Sequence, residues 1–283
     1  MNIKVTGIQM APAILDKQKN LETCLAGIES AAKQGSQLVM FPEAALTGYV
    51  YQNLAEAVPM AEPVPGPSTR EVMDRCRELK TYAIVGLIEA DGDKFYNTSV
   101  LLGPSGIIGK YRKLHLPYIG VDRFLNHGDE PLRVYDTDLG RIGLGICYDM
   151  NFPEHSRVLT LLGAELIVII TNWPERIEFA PQHMIYARAI ENHVHVLAVN
   201  RAGEERGVRF IGRSTFVNCA GQLLGQAKAY TEDVLSAEIN PTLTRDKLEI
   251  MKPGEFESDS LKDRRPEMYG PLTEPLEDSS RIR

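Results

Sequence analysis

The chain has 283 residues, 43% hydrophobic and 24% charged, which excludes a disordered polymer and is enough to bury a large core. A net charge of −7 and a pI near 5.5 argue against nucleic acid or an anionic membrane as partner. Cys24, Cys76, Cys147 and Cys219 form no CxxC pair, which argues against a zinc site or a disulfide scaffold and points to a reducing compartment.

No segment approaches the roughly 18 apolar residues of a membrane span, and the first apolar run is too short for a signal segment. A cytoplasmic protein is the expectation. Strand and helix patterns then alternate along the chain. Ile3 to Gln9 reads as a buried strand, and Asp16 to Lys33 as a helix with Leu21, Cys24, Leu25, Ile28 and Ala32 on one face. Gln37 to Phe41 is a second strand, ending in Pro42-Glu43. Ser68 is the expected N-cap of a helix to about Lys80, with Glu71 completing a capping box. Strands follow at Ala83–Glu89, Tyr96–Leu102 and Arg141–Tyr148, the last interrupted by Gly143 and Gly145. Phe152–Gly163 reads as a helix, Leu166–Thr171 as a strand and Phe179–Asn192 as a helix. His195–Asn200, Arg213–Val217 and Val234–Ile239 complete the strands. From about Met251 the chain turns polar and carries Pro253, Pro266, Pro271 and Pro275, an extended arm rather than core. The division expected is therefore 1–250 and 251–283.

Strand pairs without an intervening helix (83–89 with 96–102, 195–200 with 213–217) imply mixed sheets. A plain parallel doubly wound sheet does not fit this order. An α/β fold of two mixed sheets with helices outside both does.

Three reactive residues stand just beyond apolar strands: Glu43, Lys113 and Cys147. Rigid strand ends are good platforms for catalytic groups. A cysteine attacks as thiolate, a carboxylate beside it takes the proton, and an ammonium favours the anion and then an oxyanion. Singly, each has a plainer reading: a core cysteine, a surface glutamate, a lysine in the solvated run Lys110-Tyr111-Arg112-Lys113.

Their order and setting decide between these. Phe41-Pro42-Glu43-Ala44-Ala45-Leu46-Thr47-Gly48-Tyr49, Tyr111-Arg112-Lys113-Leu114-His115-Leu116 and Gly145-Ile146-Cys147-Tyr148-Asp149 resemble the three catalytic motifs of the nitrilase superfamily of carbon–nitrogen hydrolases. Gln9, Phe152-Pro153-Glu154, Ala187–Asn192, Gly212-Arg213-Ser214 and Asp263–Tyr269 extend the resemblance over nearly the whole chain. It implies a four-layer α-β-β-α sandwich and a thiol hydrolase of small non-peptide C–N bonds. Cys147 would be the nucleophile, Glu43 the proton carrier, and Lys113 with the Tyr148 backbone N–H the oxyanion donors.

The resemblance also implies a homodimer or larger even-numbered assembly, with contacts through helices 152–163 and 179–192 and a C-terminal strap. Where many members carry a second glutamate after the lysine motif, this chain offers Asp122, with an ion pair to Arg123 as the rival reading. Tyr49, Trp173 and Arg176 are the candidate substrate-binding residues. Tyr148-Asp149 favours amides over nitriles, with a nitrile, an N-carbamoyl compound or a silent binding protein as the alternatives. The histidines show no HExxH spacing, so neither metal nor cofactor is expected.

Overall fold

The computed structural model describes residues 2–274. In chain order the elements are β1 Ile3–Gln9, α1 Lys17–Lys33, β2 Leu38–Met40, α2 Leu54–Ala57, α3 Pro67–Leu79, β3 Tyr82–Asp91, β4 Lys94–Gly103, β5 Gly106–Arg112, β6 Val134–Thr137 and β7 Gly140–Ile146. They continue with α4 Pro153–Leu161, β8 Leu166–Thr171, α5 Ile185–Asn192, β9 His195–Asn200, β10 Glu204–Glu205, β11 Val208–Arg209, β12 Thr215–Val217, β13 Leu223–Gln226, β14 Asp233–Ile239, β15 Leu248–Lys252 and β16 Phe256–Asp259.

Two six-stranded sheets carry residues up to Arg245, in the orders β14-β1-β2-β3-β4-β5 and β13-β12-β9-β8-β7-β6. Both repeat one pairing pattern. Three parallel strands (β1-β2-β3, β7-β8-β9) are flanked on one side by one antiparallel strand and on the other by two. Alternation sends one face of each sheet inward. Val5, Met40, Ile84 and Leu101 of the first sheet meet Leu144, Val168, Ile170 and Leu197 of the second. The outer face of the first sheet packs under Leu21, Cys24 and Ile28 of α1 and Val72 and Cys76 of α3. The outer face of the second packs under Leu159 of α4 and Ile185 and Ala189 of α5. This is the α-β-β-α sandwich that the sequence implied, and each fully buried aliphatic side chain in it contributes about 1.5–3 kcal/mol.

Several boundaries moved, for local reasons. Asp16 is the N-cap of α1, accepting the Lys19 N–H at 3.1 Å. Ser68 is not a cap. Pro67 takes the first turn of α3, where a missing N–H costs nothing, and Thr69 Oγ1 accepts the Gly66 N–H at 2.8 Å. Ser68 instead donates its backbone and side-chain hydrogens to Glu62, each at 2.9 Å. The strand expected over 141–148 stops at Ile146, because Cys147 has φ +48°. Gly143 and Gly145 do not break it. A Cβ on Gly145 would lie 2.6 Å from the His155 ring, so glycine there lets α4 approach the sheet. The helix expected over 179–192 is a π-helical turn, Ala180–Met184, followed by α5. β5 and the four-residue β6 and β13 were not foreseen.

Residues from Asp246 form a separate unit with an antiparallel hairpin, β15 with β16. The division expected after residue 250 falls inside its first strand. Residues 275–283 of the expected arm, Pro275 included, lie outside the described residues. Among the described residues no helix is long and apolar enough to cross a membrane.

One contact on β3 governs the site. A Cβ on Gly86 would lie 2.5 Å from Ala44 N and 2.9 Å from Pro42 O, so the turn bearing Glu43 passes directly over bare backbone. Gly86→Ala is expected to lower stability by about 1–3 kcal/mol, as overpacking does, read from the midpoint of urea unfolding. An unchanged midpoint would show that the turn yields freely.

Candidate active site

Glu43 follows β2 on a tight turn, in which Ala44 adopts φ +50° and Thr47 N–H reaches back to Ala44 O. Lys113 follows β5. Its N–H is held by Asn97 O and its carbonyl by Gly128 N–H, both at 2.8 Å. Cys147 follows β7 with left-handed backbone geometry, a strain of about 1–3 kcal/mol that surrounding structure must hold. Asp149 does part of that holding. Its carboxylate, fully buried, accepts the Ile146 N–H at 2.9 Å, the Tyr111 O–H at 2.8 Å and the His115 N–H at 3.2 Å, and meets His115 Nδ1 at 2.7 Å. One carboxylate thus ties the cysteine turn to the strand end bearing the lysine.

The charged residues of the lysine run are not on a solvated face. Arg112 is buried and donates to Glu89, Asp91 and Asp129, with its guanidinium 3.9 Å from the Tyr96 ring centroid. Lys113, on the other side of the strand, is wholly buried. Its Nζ lies 2.7 Å from Glu43 Oε1 and 2.6 Å from Asp122 Oδ2. Asn97 Nδ2 bridges the same two carboxylates, 2.7 Å from Glu43 Oε1 and 2.8 Å from Asp122 Oδ1. Tyr49 donates its hydroxyl to Asp122 Oδ2 at 2.9 Å.

Asp122 therefore sits inside this cluster. The alternative ion pair is absent from the pattern, because Arg123 donates instead to the carbonyls of Gly120 and Tyr51. The 3₁₀ turn Gly120–Phe124 swings the shorter Asp inward. Tyr49, a candidate substrate residue, is buried with its hydroxyl committed to Asp122. Trp173 is also buried, in the apolar cluster beneath α5 that Cys147 touches from one side. Arg176 is exposed, on a loop with φ +76°, and is not part of the hydrogen-bonded cluster. Tyr148 is half-buried against Phe152, whose ring stacks on His115 at 3.7 Å.

Two asparagines were missed. Asn97 reads in sequence as one polar residue of an alternating strand; the available signal is that Asn97, Ser99 and Leu101 share the inward face. Asn172, just past β8, donates to Glu43 O at 3.0 Å and joins the two sheets at the site.

Burial pushes the Glu43 carboxyl above its ordinary range, with Asp122 adding and Lys113 opposing. Burial also pushes the Cys147 thiol up to about 12, with Glu43 adding and Lys113 opposing. For Lys113, burial pulls downward, but Asp122 and Glu43 outweigh it and hold the ammonium well above its usual range. The three shifts run toward a neutral thiol, a charged lysine and a Glu43 carboxyl that holds its proton more tightly than usual. Among the described residues no group of three or more His, Cys, Asp or Glu could hold a metal ion.

The carbon–nitrogen hydrolase family model matches residues 4–247. The chain belongs to that family, the nitrilase superfamily, and is a carbon–nitrogen hydrolase. A protein named nitrilase from Pyrococcus abyssi is 40% identical over 94% of this chain and 99% of its own. An (R)-stereoselective amidase of Pseudomonas sp is 35% identical over 96% and 95%. The amidase of Nesterenkonia AN1 superposes with a TM-score of 0.80 at 25% identity, covering 95% of this chain and 97% of that one. A mutant of that amidase carries the acetamide moiety of fluoroacetamide on its active-site cysteine.

A carboxyl raised in the folded state binds its proton more tightly there than when unfolded. The stability it contributes is full below the ordinary carboxylate range and is lost as pH rises through the folded value. Glu43→Gln keeps an oxygen for Lys113 and Asn97 yet cannot ionise. Its melting temperature is therefore expected to exceed the parent's by a few degrees near pH 8 and to converge with it toward pH 4. A gap that widens on acidification would refute the assignment.

Proposed function

We propose that the enzyme hydrolyses a small amide through a thioester on Cys147. The observation that carries this reading is the buried Lys113 held between Glu43 and Asp122 beside a strained cysteine turn. Cys147 Sγ attacks the amide carbon while its proton passes to Glu43, since a thiol near 12 holds little standing thiolate. The carbonyl oxygen takes up the negative charge against Lys113 Nζ and the Tyr148 N–H. Collapse breaks the C–N bond, and Glu43 returns its proton to the departing nitrogen, releasing ammonia or amine. Water then gives a proton to Glu43 as it attacks the thioester. The C–S bond breaks, the acid leaves, and Glu43 reprotonates the thiolate.

Asp122, in this reading, is the standing counter-charge of Lys113, and Tyr49 fixes it rather than touching substrate. Trp173 supplies an apolar wall and Arg176 a cation at the rim. Tyr148-Asp149 and the amidases among the similar proteins support an amide. The Pyrococcus nitrilase supports a second reading on the same residues, in which the thiol adds to a nitrile carbon to give a thioimidate; an N-carbamoyl substrate needs no change of site.

Ammonia release from a panel of short amides, ω-amides, N-carbamoyl compounds and matching nitriles separates these. Cys147→Ala, Glu43→Gln and Lys113→Met are each expected to lower kcat/KM at least about 10³-fold. Cys147→Ala with parental turnover would end the proposal, and nitrile turnover exceeding that of the matching amide would select the second reading.

The assembly inferred is a homodimer or larger even-numbered oligomer. Val158, Leu161 and Leu162 at α4 and Ile190 on α5 are exposed apolar residues on the outer layer. Leu161→Asp with Ile190→Asp is expected to halve the mass seen by light scattering; a parental mass would place the contact elsewhere.

A further inference from the structure

We propose that Asn97 is a positioning residue that makes Glu43 exchange its proton through Oε2 alone. The inference rests on Glu43 being the proton carrier. Four hydrogen bonds close a ring: Lys113 Nζ to Glu43 Oε1 and to Asp122 Oδ2, Asn97 Nδ2 to Glu43 Oε1 and to Asp122 Oδ1. Only the amide nitrogen of Asn97 suits that place, because its oxygen would face two carboxylates. Both Nδ2 hydrogens are thereby used, one for each acid.

The consequence for Glu43 is asymmetric. Oε1 accepts from an ammonium and an amide, which fills both its lone pairs. A proton on Oε1 would point at N–H donors. Oε2 is buried and has no hydrogen-bond partner among the described residues, so it is the oxygen free to take a proton from a thiol or a water. Lys113 alone does not fix this choice: a single donor on Oε1 leaves a lone pair there for the proton. The second donor removes that option.

Asn97 is itself rigidly set. It lies in the middle of β4 opposite Ile88 of β3, and its carbonyl accepts the Lys113 N–H at 2.8 Å. The same residue therefore holds the lysine's backbone and the glutamate's inactive oxygen. Its amide also favours the ionised form of Glu43, so loss of the side chain shifts the Glu43 titration upward.

The test uses Asn97→Ala and Asn97→Ser, since serine keeps a polar group but cannot reach both carboxylates. Melting curves establish folding, and the readout is the rate of Cys147 alkylation by iodoacetamide across pH 5 to 9, followed by mass spectrometry. In this reaction a C–S bond forms, iodide leaves, and the thiol proton goes to Glu43. Folded variants are expected to alkylate about 10–100-fold more slowly. The acidic limb of the profile is expected to move up by about 0.5–1 pH unit. A parental rate, an unmoved limb, or failure of both variants to fold would overturn the inference, the last because Asn97 would then serve the fold. Glu43→Gln separates the two readings. If it alkylates at the parental rate with the parental profile, Glu43 is not the proton carrier and the proposed function fails first. If it is slow while the Asn97 variants are parental, only the present inference falls.

Discussion

Lys113 brings one positive charge to a place with no solvent exposure, and two carboxylates meet it there. An isolated ammonium so buried would lose its proton, and two unscreened carboxylates side by side would not both stay ionised. The trio resolves both problems with one charge in surplus. Burial is what raises both Glu43 and the thiol, with Asp122 adding to the first shift, Glu43 to the second, and Lys113 opposing both. The chemistry proposed for the site follows from charge arithmetic in a dry place more than from any special property of the cysteine.

Holding this arrangement falls to groups farther out. Glu205 accepts the backbone N–H groups of Tyr49 and Val50 and pairs with the buried Arg201, fixing the loop from which Tyr49 reaches Asp122. Arg112 anchors the strand end before Lys113 through three acids, and Asp149 anchors the turn of Cys147. Buried ion pairs like these are weak sources of stability, since desolvation offsets attraction. Their effect here is geometric: each one fixes a backbone segment that carries a residue of the candidate site.

Much of this was legible in the residues. Long buried strands such as 3–9, 166–171 and 195–200 announced themselves by composition, and Glu43, Lys113 and Cys147 by position and motif. What escaped depended on partners distant in sequence. Asp122 could not be assigned, because only the folded turn brings a side chain one methylene short within reach of Lys113. Asn97 carried no local mark, since its importance comes from Glu43 and Asp122, 54 and 25 residues away. Ser68 has the spacing of a cap to Glu71, but Pro67 before it claims the first turn of α3. β6 and β13, at four residues each, are too short for a period to show.

The pairing of β1 with β14 has a consequence for how the chain is made. Ile3 lies opposite Ile239, and Gln9 opposite Asp233, so β1 leaves the ribosome long before the strand it pairs with. Until then β1 is an open edge beside β2, with hydrogen-bonding groups that another nascent chain can satisfy. Contacts of such sequence separation also close slowly. Truncation before β14 would therefore leave a sheet with an adhesive border rather than a smaller enzyme, and this sheet is exposed to misassembly during synthesis until β14 has emerged.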